Sequence, residues 1–389
     1  MKSILFILDT VEIGGATKLT FDLIKNLNKE KFRYNIIYLN DKRYGSEDLL
    51  DYYDFKNSSE LLWFKNLRPL RRIFYMYKNF RKYDMIHSCM EQANIYSSFV
   101  KMLPFSNFKL AITYHGLDST YTNDLSKIKP EQLSYSRALI MKHLQNILFK
   151  YADVFIAVCQ SIKEYMTINR KINKEKIQVI YHGLNIESIT EQVNKSREND
   201  IDPRDTNKEF RIGYIGRLGY SKGLEGFFES LPQLLNLIPS LKVFIKGNGE
   251  LKEYLLEKTK ELSLENVISF EDFGKDIFEF YNKIDLMILP SFYETTNLTV
   301  LEAMYSGTPV LTSDAGGLPE IIKNNENGFM FKNGDFKELT NKIFEISMLS
   351  NDKINDINKN AFKTVTEKFN FNKNSFEIEK IFEELINSR

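Results

Sequence analysis

The chain has 389 residues, of which 43% are hydrophobic and 27% charged, and its formal net charge is +1. That length exceeds one ordinary core and suits two domains, while the composition excludes a disordered chain and the near-neutral balance argues against a nucleic-acid binder. No run approaches the ~18 apolar residues a membrane crossing needs, and Cys89 and Cys159 lack metal-type spacing and are expected as buried free thiols.

The opening stretch, MKSILFILDTVEIGG, holds a short apolar run broken by Asp9 and Glu12. It is read as a buried strand over 3–10 rather than a secretion signal, with a cytoplasmic protein as the expectation. Gly14-Gly15-Ala16 follows, where backbone can approach an anionic ligand or simply make a tight strand-to-helix turn. It fails the G-x-G-x-x-G dinucleotide fingerprint, which argues against a nicotinamide dehydrogenase. Further strands are expected at 35–40, 85–89, 109–116, 154–159 and 178–183, between helical patterns such as 18–27 and 133–151. Residues 61–83 carry seven Lys and Arg, no acid, and interleaved aromatics. Such a segment suits an anionic membrane surface, or a helix with its aromatics turned inward. His115 lies at the end of the third of these runs, KLAITYHG, where a parallel-sheet domain keeps its ligands; His182 sits in a similar YHGL string.

Residues 188–209 are almost wholly polar and are read as a linker between a domain at 1–187 and another at 210–365. Charge divides with them: residues 1–187 hold 28 Lys and Arg against 19 Asp and Glu, and the remainder 25 against 33. A basic first half suggests that it meets something anionic. The second alternation gives strands at 210–217, 242–247, 267–270, 285–290, 309–314 and 328–331, and the chain closes on a helical pattern at 372–385. The expected architecture is α/β, with two doubly wound parallel sheets in tandem whose ligands gather at the carboxyl ends of the strands.

Chemistry-bearing residues fall at those ends. Gly216, Arg217 and Lys222 follow the first strand of the second half, and two cations there can neutralise a diphosphate without a metal. In isolation they read more readily as solvated surface charges. Asn297–Ser306 is expected as a short helix stopped by Gly307 and Pro309, with Glu294 before it and Glu302 within it. Eight residues of helix span ~12 Å, more than the roughly 5–9.5 Å between the paired carboxyls of a glycoside hydrolase. The two glutamates therefore suit hydroxyls at separated points of an elongated ligand, with the amides at Asn297, Leu298 and Thr299 between them. Asp200-Ile201-Asp202 matches a metal-binding string of unrelated glycosyltransferases, but lies in the linker and is read as chance; no metal site is expected.

The ordered set GGA (14–16), AITYHG (111–116), VIYHGLN (179–185), GRLGYSKG (216–223), KGNGEL (246–251), ETTNLTVLE (294–302) and AMYSGTPVLTSDAGGLPEII (303–322) resembles the retaining glycosyltransferases of family 4. The resemblance implies the GT-B fold, two Rossmann-like domains facing across a cleft, with residues 366–389 returning to the first. It implies a metal-independent enzyme that uses a nucleotide-diphosphate sugar, UDP-type, needs no cofactor and transfers to a glycan acceptor. The basic aromatic segment 61–83 and the positive first half point further, to a lipid-linked glycan acceptor in surface polysaccharide synthesis and to a peripheral position at the inner membrane face. By the same resemblance Arg217 and Lys222 bind the diphosphate, Glu294 the transferred sugar and Glu302 the ribose. Gly15, Gly216, Asn248, Asn297, Leu298 and Thr299 line the donor, and His115 contacts the reacting sugar. Glu294-Thr295-Thr296-Asn297 departs from the family's E-G-F-G form, which leaves the donor sugar open. The competing reading is a GT-B subunit that binds a partner or glycan without catalysis. Its signature is loss of the phosphate cations or glutamates, and all four are present.

Overall fold

The structure is a computed structural model that describes residues 1–10, 15–40, 61–63, 69–116, 143–198, 209–272, 274 and 277–388. The described residues form two compact units, one running up to His182 and taking in the chain again from Asn372, the other spanning Gly183–Phe371.

The first unit contains β1 (Lys2–Leu8), α1 (Gly15–Asn26), β2 (Phe32–Tyr38), β3 (Leu61–Trp63), α2 (Pro69–Phe80), β4 (Met85–Cys89), α3 (Glu91–Met102), β5 (Lys109–Tyr114), β6 (Val154–Ala157), α4 (Gln160–Asn169) and β7 (Ile177–Val179). Its parallel sheet has the order β3-β2-β1-β4-β5-β6-β7. Ile4–Leu8 are all fully buried, as expected of a strand covered on both faces.

The second unit contains α5 (Ile186–Glu198), β8 (Phe210–Ile215), α6 (Leu224–Leu237), β9 (Leu241–Lys246), α7 (Lys252–Glu261), β10 (Ile268–Glu271), α8 (Ile277–Asn282), β11 (Leu286–Leu289), α9 (Leu298–Ser306), β12 (Val310–Ser313), α10 (Leu318–Ile321), β13 (Phe329–Phe331), α11 (Phe336–Ser347) and α12 (Asn351–Lys368). The order β10-β9-β8-β11-β12-β13 is that of a Rossmann sheet, and it reverses direction between β8 and β11. The last helix, α13 (Phe371–Asn387), packs in the first unit, where Glu379 accepts from the Asn28 amide at 2.9 Å and Phe382 lies against Phe6 and His87.

One local device sets strand register in both units. Asp84, Asp153 and Asp285 each precede a strand, and each forms a reciprocal pair with one residue of the neighbouring strand. Their carboxylates accept from the amides of Ser3, Leu110 and Arg211 at 2.7, 2.7 and 2.8 Å. Their own amides donate to the carbonyls of the same three residues at 3.0, 2.9 and 2.8 Å. The pairing satisfies orphan backbone groups at the sheet rim with charge-assisted bonds and resists a slip in register.

Two boundaries differ from expectation. The units change over at His182 and Gly183, five residues before the expected end at 187, and at Phe371 rather than 365. Within the expected linker 188–209, residues up to Glu198 belong to α5, while 199–208, including Asp200 and Asp202, lie outside the described residues. The polar composition hid a narrow stripe: Ile186, Ile189 and Val193 recur at helical spacing, and the latter two are buried. In the basic segment, Leu61–Trp63 pairs with β2 as a strand that alternating polarity did not signal. Cys89 and Cys159 are buried free thiols.

Replacing Asp285 by Ala orphans the Arg211 amide and is expected to cost about 1.5–3 kcal/mol of stability. Asp285→Asn keeps one acceptor and should cost less. Denaturant unfolding of both variants checks this order; equal stability to the parent would show that the rim pair does not hold the sheet.

Candidate functional site

The sheet's reversal sends the loops after β8 and β11 apart, and the second unit places its charged residues in that gap. The loop after β8 turns at Gly216, whose amide donates to the Lys246 carbonyl at 3.0 Å. Leu218 donates to the Asn248 carbonyl at 2.9 Å, and Leu251 returns a bond of 2.9 Å to Leu218. Gly247, at φ 154°, lies so close that a Cβ there would overlap the Gly216 carbonyl oxygen. Backbone alone thus knits 216–219 to 247–251. Arg217 is exposed on this surface, with its carbonyl held by the Tyr214 hydroxyl at 2.8 Å, and Asn248 is exposed beside it in sequence to Gly247.

Lys222 closes a short 3-10 turn over Tyr220–Lys222 and donates to Glu294 Oε1 at 2.6 Å. Ser291 donates to the same oxygen at 2.9 Å. The Phe292 amide bonds to the Ser221 carbonyl at 2.8 Å, so backbone and ion pair together tie the β8 and β11 loops. Glu294 is buried, and its carbonyl accepts from Gly317 at 3.0 Å. Gly316, at φ 57°, approaches it so closely that a side chain there would overlap the Glu294 carbonyl.

α9 begins four residues after Glu294. Asn297 is its N-cap, accepting from the Val300 amide at 3.0 Å and from the Thr299 hydroxyl at 2.7 Å. The amides of Leu298 and Thr299 belong to the first turn, where an α-helix has no internal acceptor for its N–H groups. Glu302 lies on the next turn, buried, and Tyr281 of α8 donates to its Oε2 at 3.0 Å. Burial, and then the Glu302 charge, hold the Tyr281 phenol well above its usual range, so it stays a donor.

Of the residues expected from the sequence, Gly216, Arg217, Lys222, Asn248, Glu294, Asn297, Leu298, Thr299 and Glu302 all lie on these joined loops and on α9. Gly15 and His115 belong to the first unit. Gly15 is the first residue of α1, and His115 directly follows β5. Its Nδ1 is 3.1 Å from His182 Nε2, with the rings 12° from parallel. His87 is buried nearby in the same unit, 2.7 Å from the Thr113 hydroxyl. Sequence reasoning gave no role to His182, Tyr281 or Ser291. Ser291 carried a faint signal in its three-residue spacing from Glu294; Tyr281 carried none. Among the described residues no group of three or more His, Cys, Asp or Glu side chains is placed to hold a metal ion.

Two family descriptions match the two halves of the chain: Glycosyltransferase Family 4 over residues 13–188 and Glycosyl transferases group 1 over residues 195–364. The chain belongs to the group 1 glycosyltransferases. An uncharacterized glycosyltransferase of Methanocaldococcus jannaschii is 30% identical over 254 residues, 64% of this chain and 62% of that protein. The Escherichia coli UDP-Gal:alpha-D-GlcNAc-diphosphoundecaprenol alpha-1,3-galactosyltransferase is 23% identical over 387 residues, 96% of this chain and 95% of that protein. The crystal structure of Anabaena HepE in complex with UDP-glucose superposes with a TM-score of 0.79 at 21% identity, covering 99% of this chain and all of that one. Such a likeness carries the fold, GT-B. For a glycosyltransferase of this group, two loops and a helix amino end that converge at a strand switch point form a site for a charged, elongated ligand.

His87, His115 and His182 make the first unit acid-sensitive. Every histidine of the chain lies within that unit. Burial, with the His115 charge second, pushes His87 down to about 3, and burial pushes His115 down to about 4. Folded values below the unfolded value of ~6.5 mean that the unfolded chain binds more protons in between, so stability is full above ~6.5 and falls as pH drops. Hydrogen exchange at pH 7 and pH 5 should show protection lost in the first unit ahead of the second. Equal loss in both would refute this assignment.

Proposed function

We propose that this glycosyltransferase moves a sugar from a UDP-sugar to a glycan carried on a lipid diphosphate, in surface polysaccharide synthesis, with retention of configuration and without a metal ion. The observation that carries the reading is the Lys222–Glu294 pair, set at the strand switch point beside the capped amino end of α9. Family resemblance contributes the residue roles, the UDP-glucose held by HepE supports the donor class, and the diphosphoundecaprenol in the E. coli relative's name supports the acceptor class.

In the proposed step the bond between sugar C1 and the diphosphate oxygen breaks while the acceptor oxygen bonds to C1 from the same face. The acceptor proton passes to the departing phosphate oxygen. Arg217 and Lys222 stabilise the charge that develops there, which is the task a metal performs in other glycosyltransferases. The first-turn amides of α9 add positive potential. Glu294 holds hydroxyls of the transferred sugar and shares Lys222 with the diphosphate, while Glu302, oriented by Tyr281, holds the ribose. Gly15 and His115 enter the proposal through the family resemblance.

Removal of Lys222 by alanine would strand a buried carboxylate, so the informative variant is Arg217→Gln with Lys222→Gln, in which an amide N–H at position 222 can still donate to Glu294. UDP-sugar at 100 times its dissociation constant should stabilise the parent by about 2.7 kcal/mol. In the variant the stabilisation should be lost, because charge-assisted bonds of ~1.5–3 kcal/mol each are removed. A folded parent that no nucleotide stabilises would overturn the donor site and favour a non-catalytic subunit.

Transfer activity should also be unchanged in excess chelator. Strict dependence on an added divalent ion would overturn the two-cation reading.

A further inference from the structure

The basic segment of the first unit folds into a surface that the donor site does not use. On α2, Arg71, Phe74 and Lys78 share one face at helical spacing and all are exposed, while Met76 and Phe80 on the other face are buried. Phe74 is 71% exposed, between Arg71 and Lys78 on that face. A second aromatic stands beside this helix. The Tyr77 hydroxyl donates to the Pro104 carbonyl at 2.8 Å, and Arg81, also exposed, reaches the same carbonyl at 3.4 Å. These bonds fasten the turn after α3 to α2, and at its tip Phe105 is 78% exposed with φ 62°. Ser106 braces the turn from the far side, donating to the Val100 carbonyl at 2.7 Å. A bulky residue in the left-handed region is strained, and here the strain holds a phenyl ring out in water.

We propose that this face of α2 and the turn bearing Phe105 dock on an anionic lipid surface, with Phe74 and Phe105 inserted among the acyl chains and Arg71 and Lys78 against the headgroups. Charge complementarity selects that occupant. Residues 61–83 contain seven cations and no acid, whereas a protein-binding patch gathers its apolar groups at a centre and rims them with polar residues. No helix among the described residues is long and apolar enough to cross a membrane, so two aromatic anchors and a cationic face would make a surface contact. The docking deepens the lipid-carried acceptor reading and rests on it for its purpose, though its test requires no substrate.

Cosedimentation of the whole chain with phosphatidylglycerol-rich and with pure phosphatidylcholine vesicles tests the surface. Binding to the first and not the second is expected. Phe74→Ser with Phe105→Ser should weaken it at least tenfold. Arg71→Gln with Lys78→Gln should weaken it about thirtyfold, since each surface cation is worth roughly a factor of five. UDP-sugar stabilisation of both variants should match the parent, which separates this surface from the donor site. Failure of the parent to bind anionic vesicles, or binding that both variants retain, would overturn the docking while leaving the donor site standing.

Discussion

The chemistry of the second unit depends on one topological constraint, the reversal of strand order between β8 and β11. In a parallel sheet every strand ends on the same edge, and helices normally cover the gaps between adjacent loops. Where the order reverses, the connections leave in opposite directions and one gap stays open. Each charged residue considered for the donor follows from that opening. Arg217 and Lys222 are carried by the loop after β8, and Glu294 and the start of α9 by the loop after β11.

An open gap lined with charge is stable only if its walls are tied. The ties here are backbone hydrogen bonds and close glycine approaches: 216–219 against 247–251, Phe292 against Ser221, and Gly316 and Gly317 against Glu294. The Lys222–Glu294 pair crosses the same gap and keeps two mostly buried charges from standing alone, which would be costly. In the proposed donor reading, the pair is also what an incoming diphosphate and sugar would share. Tyr281 performs the matching task one turn further along α9, fixing a buried carboxylate with a neutral donor.

The two units repeat one plan, seven strands and six in Rossmann-like order with the same aspartate pairing at their rims, yet they differ in chemistry. The second carries the donor-type cations and glutamates. In the first, three of the four histidines have folded values pushed below their ordinary one by burial, a cationic face with the exposed Phe74 lies on α2, and Phe105 is exposed on the turn after α3. The basic excess of residues 1–187 is partly concentrated in that face.

By itself the sequence determined the alternation of strands and helices, because a strand buried on both faces must be a continuous apolar run, as ILFIL and VFIA are. It also determined α9 and its stop, since Asn297 and Gly307 act through local backbone geometry. The charged residues at strand ends were legible for the same reason: parallel topology fixes which loops can meet a ligand. Tertiary structure alone decided the rest. α5 was concealed because three apolar side chains in thirteen residues become a core stripe only against a partner surface. Tyr281, Ser291 and His182 gained their roles from neighbours far away in sequence or not marked by any motif. Phe74 and Phe105 are thirty-one residues apart, and the Tyr77 and Arg81 bonds to Pro104 tie the turn that carries Phe105 to the helix that carries Phe74.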